Sequence, residues 1–170
     1  MKMPTDALSF PDDGDVPNHP RWPMIVYARA IAPETLQSSE NAFDELFGRN
    51  GWPVAWHNGI YSFTHYHSTT HEVLGIARGQ ATVQFGGKSG KILTASAGDA
   101  LLLPAGTGHK RLSSGPDLLV IGAYPPGSKY DLMRSGEPDK SAIRARIAKV
   151  ARPDTDPVSG AAGTMLSLWI

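Results

Sequence analysis

Three of the six histidines in this 170-residue chain lie within seven residues of one another, and an acid follows the last of them. They are His65, His67 and His71, and the acid is Glu72; a further histidine, His109, stands alone in a glycine-rich turn. Residues two apart on a β-strand point to the same face and lie ~6.6 Å apart along the chain. The imidazoles of His65 and His67 can therefore converge on a single metal ion.

Two further groups reach the same point through short connections. Glu72 opens the apolar run 72–77 after a four-residue connection, which is short enough to fold that run back beside His67. The glycines of the turn 105–108 permit a tight bend that brings the ring of His109 towards the same centre. Because the chain has no cysteine, disulfides, Fe–S clusters and a cysteine nucleophile are excluded, and a metal must be held by nitrogen and oxygen.

Aromatic residues and one arginine are predicted to line a pocket around this centre. Tyr61 and Phe63 share the strand parity of the histidine pair, so they form one wall. Tyr124 ends a later apolar run and is a candidate pocket wall or lid. Arg111, unlike Lys110, shares the parity of the lone histidine and would suit an anionic substrate.

The segment from Trp52 to Tyr124 carries these groups on short β-prone runs separated by glycine-rich turn signals. Strands of ~5 to 8 residues with turns this close imply antiparallel pairing, because parallel strands need crossovers of about a dozen or more residues. We therefore predict an all-β fold, an antiparallel sandwich or barrel with a few peripheral helices.

Outside this segment the chain predicts an arm and a small number of isolated elements. Residues 1–23 contain too many prolines and acids for a regular element, and they predict an extended arm that is either disordered or lies over a partner subunit and covers a sheet edge. Residues 24–170 are expected to form one domain. Its other predicted elements are a strand at 24–28, a helix that begins at Ser38 or Ser39 and ends at Gly48, a loop at 127–139, a helix at 141–150 and a strand at 165–169.

The spacing of these residues resembles the two sequence motifs of the cupin superfamily. The first motif, G-x5-H-x-H-x4-E-x6-G, is matched at every fixed position, by Gly59, His65, His67, Glu72 and Gly79. The second, G-x5-P-x-G-x2-H-x3-N, is matched by Gly98, Pro104, Gly106 and His109, with Ser113 in place of the final asparagine. The resemblance covers residues 59–113 closely and extends more loosely to residue 124.

The resemblance implies a double-stranded β-helix, a barrel like a jelly roll, with a divalent transition metal held by His65, His67, Glu72 and His109. Adjacent strand residues point to opposite faces, so only one of His71 and Glu72 can point inward. The motif favours Glu72, and His71 would then face outward, bond to a neighbour or lie at a subunit contact. The chain is also similar to small bacterial cupins of unassigned activity, and this resemblance implies a homodimer.

The choice of metal separates the candidate functions. Zinc usually takes four ligands, and a site of three histidines and one glutamate would then be closed to substrate. Iron(II), manganese(II) or nickel(II) accept about six ligands and leave two positions open. The first hypothesis is therefore a metal-dependent enzyme, a dioxygenase, isomerase or decarboxylase that acts on a small chelating oxygen-rich molecule, with Glu72 as a candidate base. The alternatives are a non-catalytic small-ligand sensor and a metal that only stabilises the barrel.

Charge and hydropathy exclude several classes of partner. The 16 basic and 16 acidic side chains give a formal net charge of zero, which makes nucleic acid and anionic lipid poor candidates. No run approaches the ~20 apolar residues of a membrane span, and residues 1–23 lack the apolar core of a signal peptide. A cytoplasmic protein that binds a small molecule is expected.

Four other polar residues are predicted to have no part in this chemistry. His19 and His57 show no partner spacing and are predicted to be surface or loop residues. Asp154 and Asp156 are flanked by prolines, which indicates turn formers whose carboxylates bond nearby backbone N–H groups rather than a second metal site.

Overall fold

The computed structural model describes residues 5–170, which form eleven β-strands and four helices. The strands are β1 (Thr5–Leu8), β2 (Met24–Tyr27), β3 (Val54–Asn58), β4 (His65–Tyr66), β5 (Glu72–Arg78), β6 (Gln80–Phe85), β7 (Lys91–Ser96), β8 (Ala100–Leu103), β9 (His109–Ser114), β10 (Leu119–Ala123) and β11 (Met133–Arg134). The helices are α1 (Pro33–Ser38), α2 (Ala42–Arg49), α3 (Lys140–Lys149) and α4 (Thr164–Leu168).

The strands form two sheets that face each other. The larger sheet has the order β1-β2-β8-β5-β10-β3, and the smaller has the order β11-β4-β9-β6-β7. Each strand pair in the described part of the chain is antiparallel. Strands distant in sequence lie side by side in both sheets, as in a jelly-roll barrel. The all-β fold predicted from the turn spacing is confirmed.

An apolar core fills the space between the two sheets. Leu74 and Ile76 on β5 meet Val83 and Phe85 on β6 in this core, whereas Val73 belongs to a second core on the outer face of the larger sheet. Strand β5 is therefore buried on both faces, since successive side chains alternate between the two cores. Its first residue, Glu72, continues the inward series at the end of the barrel.

Helix α2 covers the outer face of the larger sheet with the apolar residues that the sequence predicts. They are Ala42, Phe43, Leu46 and Phe47. The predicted start at Ser38 or Ser39 is wrong, because the chain is extended at Ser39 and α2 begins at Ala42. The preceding residues form α1, which was not predicted and begins at Pro33, a residue well suited to a first helical turn.

The strand predicted at 165–169 is wrong, because this segment forms α4. Met165 and Trp169 are both fully buried in the outer core. Residues four apart share one face of a helix, so a single helical turn buries both side chains. The predicted helix at 141–150 is confirmed as α3, which buries Ile143 and Ile147.

The N-terminal arm packs against its own barrel. Its residues 1–4 lie outside the described residues, and the next four form β1 on the edge of the larger sheet, so the expectation of no regular element is wrong. Val16 is buried, and the Asn18 amide donates to the carbonyl of Gly86 at 3.1 Å. The Asn18 side-chain oxygen accepts from the backbone N–H of Gly108 at 3.1 Å. The arm therefore supports the turn that leads into β9.

None of the helices within residues 5–170 has the length and apolar character needed to cross a lipid bilayer. The homodimer and the cytoplasmic location stay predictions.

Candidate metal centre

Three residues of the predicted quartet meet inside one end of the barrel. Glu72 begins β5, His109 begins β9, and His67 directly follows β4. One ligand atom from each lies within 4.8 Å of the others, and all three side chains are buried. Two imidazole nitrogens and one carboxylate oxygen are thus close enough to share a cation.

His65 lies beside this group but outside it. Its ring centroid is 4.0 Å from that of His109 and 6.3 Å from that of His67. Strand β4 ends at Tyr66, so strand parity does not extend to His67 as the sequence argument assumed. Burial, together with the nearby His109, lowers the pKa of His65 to about 3, so its imidazole is neutral at physiological pH.

Backbone carbonyls set the orientation of the two imidazoles in the group. Nδ1 of His67 donates to the carbonyl of Asp131, and Nδ1 of His109 donates to the carbonyl of Thr107 at 3.0 Å. A hydrogen bond from Nδ1 directs Nε2 towards the centre and is the usual support for a metal-ligating histidine. The two Nε2 atoms lie 3.1 and 3.3 Å from the carboxylate oxygens of Glu72.

The two carboxylate oxygens of Glu72 differ in their hydrogen bonds. Tyr124 donates its hydroxyl to Oε2 at 2.7 Å, and Trp56 donates Nε1 to the Tyr124 hydroxyl at 2.9 Å. Oε1 is buried and has no hydrogen-bond partner among residues 5–170. A buried carboxylate oxygen without a partner is unfavourable unless a cation or donor satisfies it. The donor set therefore fits a divalent transition metal.

His67 and Glu72 form a buried ion pair. Burial opposes the charged imidazolium, but the negative charge of Glu72 and its hydrogen bond raise the pKa of His67 to about 9. Burial likewise opposes the carboxylate, yet the positive charge of His67 holds the pKa of Glu72 well below its ordinary value. Each charge thus stabilises the other inside the barrel.

The centre opens into a cavity of about 860 Å³. The residues predicted to line a pocket all border it, namely Tyr61, Phe63, Arg111 and Tyr124. Tyr124 is buried and bonded to Glu72, so it is part of the inner wall and the prediction of a lid is wrong. Tyr61 is 54% exposed and lies at the rim.

Sequence reasoning missed a second set of site residues, which comes from the segment predicted only as a loop. Tyr130 borders the cavity and stacks on Tyr124 with ring centroids 4.7 Å apart. Asp131 supplies the carbonyl that orients His67, and its carboxylate accepts from the backbone N–H of Ser68 at 2.7 Å. The segment 127–139 has no apolar periodicity, so the sequence offered no signal for these contacts.

His71 points away from the cavity, as the motif implies, but it does not reach solvent. Its Nδ1 accepts from the backbone N–H of Ala105 at 2.9 Å, and its Nε2 donates to the carbonyl of Ala151 at 3.1 Å. The ring is completely buried against Trp169. His71 therefore connects the turn before β9 to the C-terminal segment from behind the metal centre.

His57 lies at the surface and His19 in an irregular segment, so the prediction of surface or loop residues is confirmed for both, although His19 is buried. His57 is exposed and lies 2.7 Å from a carboxylate oxygen of Asp44. His19 is buried and stacks on Trp22 with ring centroids 4.6 Å apart. Its Nδ1 accepts from the backbone N–H of Trp22 at 2.9 Å, which makes it part of the fold of the arm.

Comparison with models of protein families gave no match. The Bacillus subtilis protein YjlB, described as uncharacterized, is 41% identical to this chain over 172 residues, which cover 100% of this chain and 99% of that protein. The first histidine motif supplies His67 and Glu72 and the second supplies His109, and both meet inside an antiparallel barrel. The chain belongs to one family with YjlB, and both of the histidine motifs by which it resembles the cupin superfamily contribute to this centre.

Solved structures similar to this chain include a DUF861 family protein from Thermotoga maritima, with 22% identity, coverage of 64% of this chain and 97% of that one, and a TM-score of 0.33. Acireductone dioxygenase from Bacillus anthracis, with a cadmium ion in its active centre, has 16% identity, coverage of 62% and 72%, and a TM-score of 0.38. Oxalate decarboxylase has 16% identity, coverage of 81% and 32%, and a TM-score of 0.37. The resemblance to the cupin superfamily rests instead on the motif residues and the barrel of this chain.

Proposed function

We propose that this protein is a metal-dependent enzyme of the cupin type that acts on a small, chelating, oxygen-rich molecule, with the metal held by His67, Glu72 and His109. The observation that carries the proposal is the buried carboxylate of Glu72, whose Oε2 lies 3.1 Å from Nε2 of His67 and whose Oε1 lies 3.3 Å from Nε2 of His109 but accepts no hydrogen bond within residues 5–170. Two histidines and one carboxylate with open positions are the ligand set of non-haem iron(II) oxygenases. A bound divalent metal would supply Lewis-acid chemistry or dioxygen activation.

The surrounding residues support ligation by Glu72 more than proton transfer. Tyr124 and Trp56 hold one carboxylate oxygen and leave the other directed at the centre. The lowered pKa of Glu72 makes it a weak proton acceptor at neutral pH, which suits a metal ligand better than the base considered from the sequence. The cavity leaves room for a bidentate molecule beside the three ligands.

Elemental analysis of protein purified without added metal tests this proposal. We expect about one equivalent of iron, manganese or nickel, followed by substrate-dependent oxygen consumption or product formation in a screen of chelating acids and sugars. Absence of bound metal would overturn the proposal. Zinc without turnover would favour a structural ion, and a retained small molecule without turnover would favour a sensor.

Metal binding is expected to release about one proton per site at pH 7. The raised pKa of His67 keeps Nε2 protonated in the metal-free protein, and a metal must displace that proton. Affinity should therefore rise about tenfold per pH unit up to roughly pH 9 and then level off. Calorimetric titration in buffers of different ionisation enthalpy measures the released proton. An affinity independent of pH between about 6 and 8 would contradict ligation by His67.

Substitution of His65 is expected to weaken metal binding less than substitution of His109. His109 belongs to the group whose ligand atoms lie within 4.8 Å of one another, whereas His65 lies beside it. We expect His109→Gln to lose stoichiometric metal and His65→Gln to retain it, with dissociation constants measured by competition with a chelator. Equal losses in the two variants would instead assign His65 as the fourth ligand, as the cupin motif implies.

A further inference from the structure

Two stacked pairs of aromatic rings border the metal centre on different sides. The first aromatic stack consists of Tyr61 and Phe63, whose ring centroids are 4.7 Å apart with planes 18° from parallel. The second aromatic stack consists of Tyr124 and Tyr130, whose centroids are 4.7 Å apart with planes 17° from parallel. All four residues line the same cavity. The cavity therefore offers extended flat ring surfaces.

Each stack meets a different histidine. The rings of Tyr61 and Phe63 lie 5.1 and 5.6 Å from the ring of His65, both nearly edge-on. The rings of the second stack lie 5.8 and 5.5 Å from the ring of His67, also nearly edge-on. A molecule bound at the metal centre can therefore contact rings of both stacks.

The outer members of the stacks are unusually exposed for large apolar side chains. Tyr61 and Tyr130 are each 54% exposed, and Leu132 joins them at the same rim. The guanidinium of Arg134 lies 3.9 Å from the ring centroid of Phe63, which fixes that ring from one side. Exposed apolar surface that is gathered at the mouth of a cavity, rather than scattered, indicates a ligand-binding site.

Arg111 supplies a positive charge on the cavity wall. Its Nε donates to the carbonyl of Ile60 at 2.9 Å and its Nη1 to the hydroxyl of Ser114 at 3.0 Å, so the guanidinium is held in place. No carboxylate within residues 5–170 pairs with it, and Nη2 makes no hydrogen bond there. Glu72 is the single acid among the lining residues, and a divalent metal would more than offset its charge. The loaded cavity would therefore attract an anion.

We propose that this cavity binds a planar aromatic carboxylic acid with vicinal oxygen substituents. Its ring packs against the two aromatic stacks, its carboxylate pairs with Arg111, and its neighbouring oxygens face the metal centre. This inference rests on the proposed function and narrows its substrate class, since the sequence indicated only a small, chelating, oxygen-rich molecule.

Calorimetric titration of the metal-containing protein with three probes tests the proposal. The probes are 3,4-dihydroxybenzoate, catechol, which lacks the carboxylate, and malate, which lacks the ring. We expect 3,4-dihydroxybenzoate to bind at least about tenfold more tightly than catechol, the factor that one charged hydrogen bond supplies. We expect a preference of at least about tenfold over malate as well, because malate lacks the ring contacts. Binding no tighter than both catechol and malate would overturn the proposal.

Variants separate the two recognition elements. Arg111→Gln should weaken the binding of 3,4-dihydroxybenzoate about tenfold and leave the binding of catechol unchanged. Lys110→Gln, on the same strand, should change neither affinity. Tyr130→Ala should weaken the binding of both aromatic probes and leave the binding of malate unchanged. Because Tyr130 is exposed, its substitution should not unfold the protein. A loss of 3,4-dihydroxybenzoate binding in Lys110→Gln equal to that in Arg111→Gln would contradict the role given to Arg111.

Metal content measured on the same samples distinguishes failure of this inference from failure of the proposed function. Retained metal with no preference for the aromatic acid would overturn the inference and leave the metal centre intact. If the protein takes up no metal but still prefers the aromatic acid through Arg111, that result would support the pocket assignment and overturn the metal-dependent function.

Discussion

Glu72→Gln is expected to abolish stoichiometric metal binding and leave the barrel folded. Glutamine has nearly the same volume and can still accept the hydrogen bond from Tyr124, but it removes the charge and the free carboxylate oxygen from the centre. Loss of an outer residue that only orients a ligand costs 10- to 100-fold in metal affinity, so loss of this ligand should cost more than about 100-fold. Elemental analysis and a chelator competition assay measure the change.

An exposed acid outside the cavity provides the control for this experiment. Glu45→Gln removes an exposed carboxylate from α2, far from the cavity lining, and should retain full metal content. Circular dichroism and the unfolding midpoint of both variants check that the barrel is intact. Stoichiometric metal in Glu72→Gln would contradict the assignment of this residue as a ligand.

Asp156→Ala is expected to destabilise the protein by at least about 3 kcal/mol, because several buried donors would lose their shared acceptor. Oδ1 accepts from the backbone N–H groups of Val158 and Ser159 at 2.8 and 2.9 Å. Oδ2 accepts from the backbone N–H of Met165 at 2.9 Å and from the hydroxyl of Tyr27 at 2.7 Å. The carboxylate is fully buried, so water does not replace these bonds. Urea unfolding measures the free energy.

Asp154→Ala is the matched control, since this residue lies two positions earlier and is exposed. A surface substitution of this kind should change the free energy of unfolding by less than about 0.5 kcal/mol. Similar effects of the two substitutions would show that the hydrogen bonds of Asp156 do not stabilise the fold.

The aspartate pair also shows how far sequence reasoning reaches. Flanking prolines predicted turn formers, and the bonds from Asp156 to Val158 and Ser159 confirm this for one member. The same carboxylate also bonds to Tyr27, which is 129 residues away in the chain. Local sequence carries no information about such a distant partner, so the difference in burial between the two aspartates was not predictable.

The metal centre was predictable where spacing sets geometry. Glu72 and His109 begin strands, and their positions follow from the turns that precede them. The position of His65 relative to His67 was not predictable, because strand β4 ends at Tyr66 and strand parity does not extend to His67. Tyr130 was missed for a related reason: it approaches the cavity from an irregular segment, where no periodic pattern indicates the direction of a side chain.

The opposite orientations of His71 and Glu72 have a consequence for strand alignment. A slip of β5 by one residue against β8 would exchange its two faces, so the pairing of Glu72 with Leu103 would be lost. The slip would place an imidazole where the carboxylate now lies and would bury an acid beside Trp169. Misaligned barrels would therefore lack this ligand arrangement and be poorly stable, so the residues proposed to hold the metal also discriminate against incorrectly assembled chains.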